Sequence, residues 1–328
     1  MASHFELLVD GKSAFGKLFH VLEQAKKSIY VEIFLLTDDK TGWDFALILA
    51  KKARQGIDVR LIYDQIGTYY FSLHNLRSLT GRVALLRFLA TQGVKIEHAG
   101  NPNPFRFQLD HRKIIVVDSI HSFTGGMNIG DSYQFDWHDI LIYFSEPSIS
   151  IKFEKLFLYE WSKKPVHSEK TTFAGNNYSL LVTALKKHDI QEDLHEHINK
   201  ATKYIYIEVP YFTDLKFVHA LIKAKSRGVD VKIIVPNRPN HILPRIQHVL
   251  TLMLMQRAKI EIFYYKSTLN HLKVFLFDDE YVSIGSANAT YRSMIGNKEL
   301  NLGTNDKLII KEVKSKIFTK DFDLCKKG

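Results

Sequence analysis

The chain has 328 residues, 45% of them apolar and 24% charged, a globular composition with room for two ordinary domains. Forty-five Lys and Arg against 35 Asp and Glu give a net charge of +10, which favours anionic partners: phospholipid surfaces, nucleic acid or phosphorylated substrates. A lone cysteine, Cys325, excludes an internal disulfide; Glu6 and Asp10 argue against a secretory leader, and no run of about 18 apolar residues predicts a spanning helix.

Taken in order, Ser28–Leu36 reads as a strand and Phe45–Gln55 as a helix stopped by Gly56. Asp58–Tyr63 is a second strand. The stretch from Gly67 to Arg87, with Tyr69, Tyr70, Phe71, Arg77 and Arg82, is an insert that reads as a packed excursion or a lid. A helix over Arg82–Gln92 leads to strands at Val94–Glu97, Lys113–Val117, His121–Gly126 and Ile140–Ser145. The proline-rich 101–107 precedes the Lys113 strand, which is too continuously apolar to be half exposed. Pro147–Lys164 is helical, and the polar, Pro- and Gly-broken stretch 163–177 is the best domain boundary. Helices at Gln191–Ala201, Leu215–Arg227 and Ile242–Gln256 then alternate with strands at Tyr204–Val209 and Asp230–Val235, with a turn at Asn237–Asn240. Strands at Lys259–Tyr264, Lys273–Phe277 and Val282–Gly285 follow, and a Lys-rich helical tail runs from Leu308 to Lys327.

The second half repeats the first. HRKIIVVD at 111–118 is answered by HLKVFLFD at 271–278, GGMN at 125–128 by GSAN at 285–288, and Asp139 by Glu299. Every pair is displaced by 160 positions (271 − 111, 299 − 139). SIYVEIF at 28–34 and RQGIDVRLIYD at 54–64 also have partners, YIYIEVP at 204–210 and SRGVDVKIIVP at 226–236, at offsets of 176 and 172. Two copies of about 150 residues make two domains rather than a solenoid. The expected division is 1–165 and 176–328.

In His-x-Lys the two side chains are two apart on a strand and leave one face. His111 with Lys113, and His271 with Lys273, therefore each present an imidazole and an ammonium together. Gly125, Gly126, Gly285 and Ser286 are expected to let backbone approach a phosphate, and Asn128 and Asn288 to bring amide donors. Positive charge and many donors around two histidines suit a phosphoryl centre. One histidine would attack phosphorus and the other would handle protons on the leaving and entering oxygens. Asp139 and Glu299, each 28 residues after its own histidine, are the expected orienting carboxylates; neither metal nor cofactor is required, because ammonium groups take that role. The residues alone do not say which histidine is the nucleophile. Glu32 and Glu208, at equivalent places in apolar strands, either line the pocket or pair with a buried Lys or Arg.

This doubled HxKx4D pattern with GGxN and GSxN resembles the phospholipase D superfamily. GGMNIGD at 125–131, WHD at 137–139 and NKELN at 297–301 make it most similar to the bacterial cardiolipin synthase-like branch. The resemblance runs from about Ser28 to Asn301. It implies an α/β fold of two similar domains, with mixed sheets flanked by helices and a pseudo-twofold axis between them. It also implies His111 as nucleophile, His271 as acid and base, and a structural role for Asp118 and Asp278. The expected activity is phosphodiesterase or phosphatidyltransferase chemistry on phospholipid through a phosphohistidine, by a cytoplasmic or peripherally membrane-bound protein. The alternative is a metal-independent nuclease acting on DNA or RNA, which +10 and 12% aromatics would suit.

Overall fold

The computed structural model describes residues 5–69, 76–101, 107–163, 171–172, 178–237 and 245–328. Tyr70 and Phe71 of the insert, most of the 101–107 loop, most of the 163–177 boundary and most of the Asn237–Asn240 turn lie outside them. The chain divides into two compact units, Met1–Asp136 with Ile140–Glu169, and Trp137–Asp139 with Lys170–Gly328.

The first unit is built on a seven-stranded mixed sheet of β1 (Phe5–Val9), β2 (Ser28–Ile33), β3 (Asp58–Asp64), β4 (Lys95–Ala99), β5 (Ile114–Val117), β6 (His121–Gly125) and β8 (Ile140–Ser145); β7 (Trp137–His138) belongs to the second unit. The order is β1-β8-β6-β5-β2-β3-β4. Strands β2, β3 and β4 run parallel and the remaining pairs antiparallel. Every residue of β2 and β5 is buried, as a sheet covered on both faces requires. Helix Lys40–Arg54 starts where Asp39 Oδ1 accepts the Gly42 amide at 2.9 Å and stops before Gly56, whose φ of 84° ends a helix without steric cost. Helix Pro147–Trp161 packs Phe153 and Phe157 onto β5, β6 and β2.

The second unit carries β9 (Thr171–Thr172), β10 (Tyr178–Ala184), β11 (Lys187–His188), β12 (Tyr204–Glu208), β13 (Asp230–Pro236), β14 (Glu261–Tyr265), β15 (Leu269–Asn270), β16 (Val274–Phe277), β17 (Tyr281–Gly285), β18 (Glu299–Thr304) and β19 (Cys325–Lys327). Its sheet runs β11-β10-β18-β17-β16-β12-β13-β14-β19, so β10-β18-β17-β16-β12-β13-β14 reproduces the first unit's order strand for strand. The α/β fold with mixed, helix-flanked sheets is thus as the resemblance implied.

Four features differ from the sequence reading. Strand β1 and helix Gly11–Gln24 precede the first expected element, and β10 and β18 lie among residues too polar or too short to announce themselves. The tail is helical over Lys307–Leu324 with a π turn at Lys314–Phe318, but ends as β19, pairing antiparallel with β14. Trp137–Asp139, expected in the first domain, pack with the second unit: β7 pairs in parallel with β15, opposing Trp137 to Leu269 and His138 to Asn270. In the insert, Gln65–Tyr69 and Leu76–Thr91 are helical, and Arg82 is buried, its Nη1 donating to the Thr68 carbonyl at 3.2 Å.

Candidate active site

In both units the strand begins one residue after the motif lysine, so His and Lys occupy an extended lead-in rather than the strand itself. Each lysine folds back on its own motif: Lys113 Nζ donates to the His111 carbonyl at 2.6 Å, and Lys273 Nζ donates to the His271 carbonyl. Both lysines are buried.

The second unit holds a complete histidine–carboxylate pair. His271 Nδ1 lies 2.7 Å from Asp139 Oδ2 and 2.9 Å from Lys273 Nζ. With Asp139 fully buried, the arrangement favours a proton on Nδ1, donated to the carboxylate, with the ring fixed in one tautomer. The ring is further held by Trp137 at a centroid distance of 5.2 Å and by the His271 amide, which donates to the His138 carbonyl at 2.8 Å. Burial lowers the Lys273 ammonium to about 8, with Asp139 and Glu299 opposing the shift.

This corrects the expected pairing. Asp139 pairs with His271, 132 residues further along the chain, where the spacing had assigned it to His111. Pairing of β7 with β15 carries Asp139 into the second unit, whereas Glu299 opens β18 and stays in the sheet. There Glu299 Oε2 accepts from Ser286 Oγ at 2.5 Å, and Ser286 Oγ accepts the Leu300 amide at 3.0 Å. Gly126, the counterpart of Ser286, has no hydroxyl to hold Asp139 in the same way.

In the first unit His111 packs edge-on against Phe34 at 4.8 Å, and Lys113 Nζ sits 5.3 Å over the same ring. Asn128 is buried and anchored: its Oδ1 accepts the Leu35 amide at 3.1 Å and its Nδ2 donates to the Tyr133 hydroxyl at 2.8 Å. Asn288 differs. It is only partly buried, and its Oδ1 has no hydrogen-bond partner among the described residues.

The glycines carry a packing role. A Cβ on Gly125 would lie 2.3 Å from the Ile140 carbonyl oxygen, and one on Gly285 2.2 Å from that of Leu300. These glycines let neighbouring strands close, and the Gly126 and Ser286 amides donate to the same two carbonyls at 3.0 Å. The motif aspartates cap turns. Asp118 accepts the amides of Lys26, Lys27 and Ser28 at 2.7–2.9 Å, and Asp278 those of Thr202, Lys203 and Tyr204 at 2.7–3.0 Å. Asp118 and Asp278 also take φ of 55° and 53° in the hairpin turns after β5 and β16, a conformation Asp tolerates better than most residues.

Beneath each half lies a buried acid cluster that the sequence left open. Glu32 meets Arg112 at 2.7 Å, and the same guanidinium reaches Asp110 and Glu160 at 2.7 and 2.8 Å. Burial pushes Glu32 well above the usual carboxylate range, so a proton on it relieves the surplus negative charge. In the second unit Leu272 replaces Arg112, and Glu208 is met by Asn270 Nδ2 at 2.5 Å. His138 stands beside it, its Nε2 3.0 Å from Asp321 Oδ2, its ring stacked on Tyr265 at 4.9 Å. All three acid-cluster side chains, His138, Glu208 and Asp321, are buried.

Two α/β units, each presenting a buried lysine behind a histidine, define a phosphoryl-transfer class of protein. A family model described as "Cardiolipin synthase, PLD-like domain" matches residues 18–161 and 194–321, and the chain belongs to that family. Cardiolipin synthase A of Pseudomonas syringae pv. syringae (strain B728a) is 31% identical over 339 residues, a match spanning 98% of this chain and 69% of that protein. Cardiolipin synthase A of Pseudomonas entomophila (strain L48) is 30% identical, over 97% of this chain and 68% of its own length. Among solved structures, phosphatidylserine synthase of Haemophilus influenzae Rd KW20 superposes with a TM-score of 0.79 at 15% identity, covering all of this chain and 88% of that one. Polyphosphate kinase of Porphyromonas gingivalis gives 0.70 at 15% identity, over 98% of this chain and 48% of the other. At that identity both likenesses concern the fold.

Proposed function

We propose that this protein is a phospholipase D-type phosphatidyltransferase acting on phospholipid at a membrane surface. The observation that carries the reading is the buried Asp139–His271–Lys273 arrangement in a chain matched over nearly its whole length by cardiolipin synthases. With Nδ1 of His271 turned to Asp139, Nε2 is the nitrogen left for proton transfer.

In the first step His111 attacks phosphorus. The N–P bond forms, the bond from phosphorus to the leaving oxygen breaks, and His271 supplies that oxygen's proton. In the second step the acceptor, an alcohol or water, gives its proton to His271 as its oxygen bonds to phosphorus and the N–P bond breaks. Lys113, Lys273 and Asn288 would stabilise the non-bridging oxygens. Each buried ammonium gains strength from its low-dielectric surroundings. Asn128, held on both amide atoms, would act by keeping the loop before Tyr133 in place. The internal repeat supports assigning one step's chemistry to both motifs, and family resemblance favours His111 as nucleophile.

The test is to incubate the purified protein with phosphatidylglycerol vesicles and, separately, with single- and double-stranded DNA. Lipid turnover, absent in His111→Ala, with intact DNA is the expected result. DNA cleavage without lipid turnover would overturn the substrate class and favour the nuclease.

A further inference from the structure

Helix Arg245–Arg257 is amphipathic in an unusual sense. Its inner side buries His248, Thr251, Leu252 and Met255, while Ile246, Val249, Leu250, Met253 and Leu254 form a stripe on the outside at helical spacing. Ile246 is 76% exposed and Leu250 55%. Single exposed apolar side chains are ordinary, but five on one helical face are an interaction surface.

The stripe is tied to the reaction centre of the second unit. His248 Nδ1 accepts the Phe212 amide at 3.0 Å, Thr251 Oγ1 donates to the Phe212 carbonyl at 2.7 Å, and Gln247 Nε2 donates to the Thr213 carbonyl at 2.9 Å. Phe212 bridges in parallel to Ala289, and the Thr213 amide donates to the Ala289 carbonyl at 2.9 Å. Ala289 follows Asn288 directly. Two further exposed apolar side chains flank this same clasp, Leu215 just after it and Tyr291 two residues beyond Ala289.

The surroundings are basic. Helix 245–257 contains no Asp or Glu, and Lys216, Arg257, Lys259 and Arg292 are exposed around it. An apolar stripe with a cationic border, on a chain of net charge +10, matches an anionic lipid interface in both hydrophobicity and sign.

We propose that the outer face of helix Arg245–Arg257, with Leu215 and Tyr291, seats the protein on an anionic phospholipid bilayer beside Asn288. The proposal rests on the phospholipid reading above and adds which surface meets the lipid. The stripe enters the headgroup boundary, the basic border meets lipid phosphates, and the clasp through Phe212 and Ala289 sets the depth of the Asn288 loop.

The test compares wild type, the double variant Ile246→Glu with Leu250→Glu, and Leu47→Glu, which alters an exposed apolar side chain of the first unit. Vesicle sedimentation is measured on phosphatidylglycerol and on neutral phosphatidylcholine. Turnover is measured on phosphatidylglycerol bilayers and on a short-chain analogue kept monomeric. Because both helix positions already face solvent, the double variant is expected to keep the wild-type melting temperature. Its binding to anionic vesicles should weaken by about tenfold or more, with bilayer turnover falling in step. Turnover of the monomeric analogue should not change, and Leu47→Glu should behave as wild type.

Undiminished sedimentation of the double variant would overturn the docking face, as would equal wild-type affinity for neutral and anionic vesicles. A solution dimer that only the double variant dissociates would also overturn it, assigning the stripe to a second copy. Wild-type binding without turnover of either lipid form would leave the docking face standing and sink the activity instead.

Discussion

At His271 the decisive contact is with a carboxylate that carries the wrong sequence offset. Asp139→Asn keeps the shape but removes the charge that fixes the Nδ1 proton. The expected loss in kcat is about 10²–10⁴-fold with little change in melting temperature, read by steady-state turnover of phosphatidylglycerol. Lys273 sets a second limit. Burial has depressed its pKa to about 8, so the ammonium is intact below that pH and lost above it. Turnover should therefore fall on the alkaline side near pH 8, and Lys273→Arg, whose cation does not titrate there, should shift that limb upward if the variant folds. The residue types of the site were legible in the sequence, because a doubled His, Lys, Asn and acid at one spacing is a chemical pattern. The partner of Asp139 was not. Spacing counts residues along the chain, whereas Asp139 is placed by the pairing of Trp137 and His138 with Leu269 and Asn270, a contact between positions 132 apart (269 − 137). The packing role of the glycines was hidden for a similar reason: their need for space comes from the carbonyls of Ile140 and Leu300 on adjacent strands, which no local motif contains.

Among the elements, the two buried acid clusters place different partners around equivalent glutamates. Glu32 and Glu208 occupy matching registers, opposite Ile114 and Val274. The first is met by Arg112 from its own lead-in segment, the second is flanked by His138 from β7 and Asp321 from the terminal helix. Arg112→Leu copies what the second unit has at that place, yet leaves Glu32, Asp110 and Glu160 together without their cation. A loss of about 3–5 kcal/mol is expected in denaturant unfolding. His138→Ala should both lower stability and slow turnover, since the same short strand delivers Asp139. A test by unfolding and kinetics together would fail the idea if kcat stayed at the wild-type value. Gly125→Ala should cost about 1–3 kcal/mol, because the added methyl meets the Ile140 carbonyl and the backbone holds φ near 147°. Most central strands and long helices were readable from apolar runs and glycine stops. Strands β10 and β18 were not: β18 buries Glu299 and Asn301, polar side chains held by hydrogen bonds rather than by hydrophobicity, and β10 pairs along it.

For the whole molecule, the surplus of 10 positive charges predicts binding to anionic vesicles that weakens as salt shortens the screening length from ~10 Å to ~3 Å. The repeated strand order shows why a doubled sequence was enough to foresee two α/β units, while β11 and β19, at the edges of the second sheet, have no counterpart in the first. No helix among the described residues is long and apolar enough to cross a membrane. The short segment Trp137–Asp139 has a consequence for how such a chain could ever be divided. A fragment starting at Lys170 would carry the second motif whole and still lack the acid that steers its imidazole. The two modules look alike, but by lending three residues forward the earlier one makes the later one dependent, and a gene split at the boundary would yield a second piece with its base unaligned.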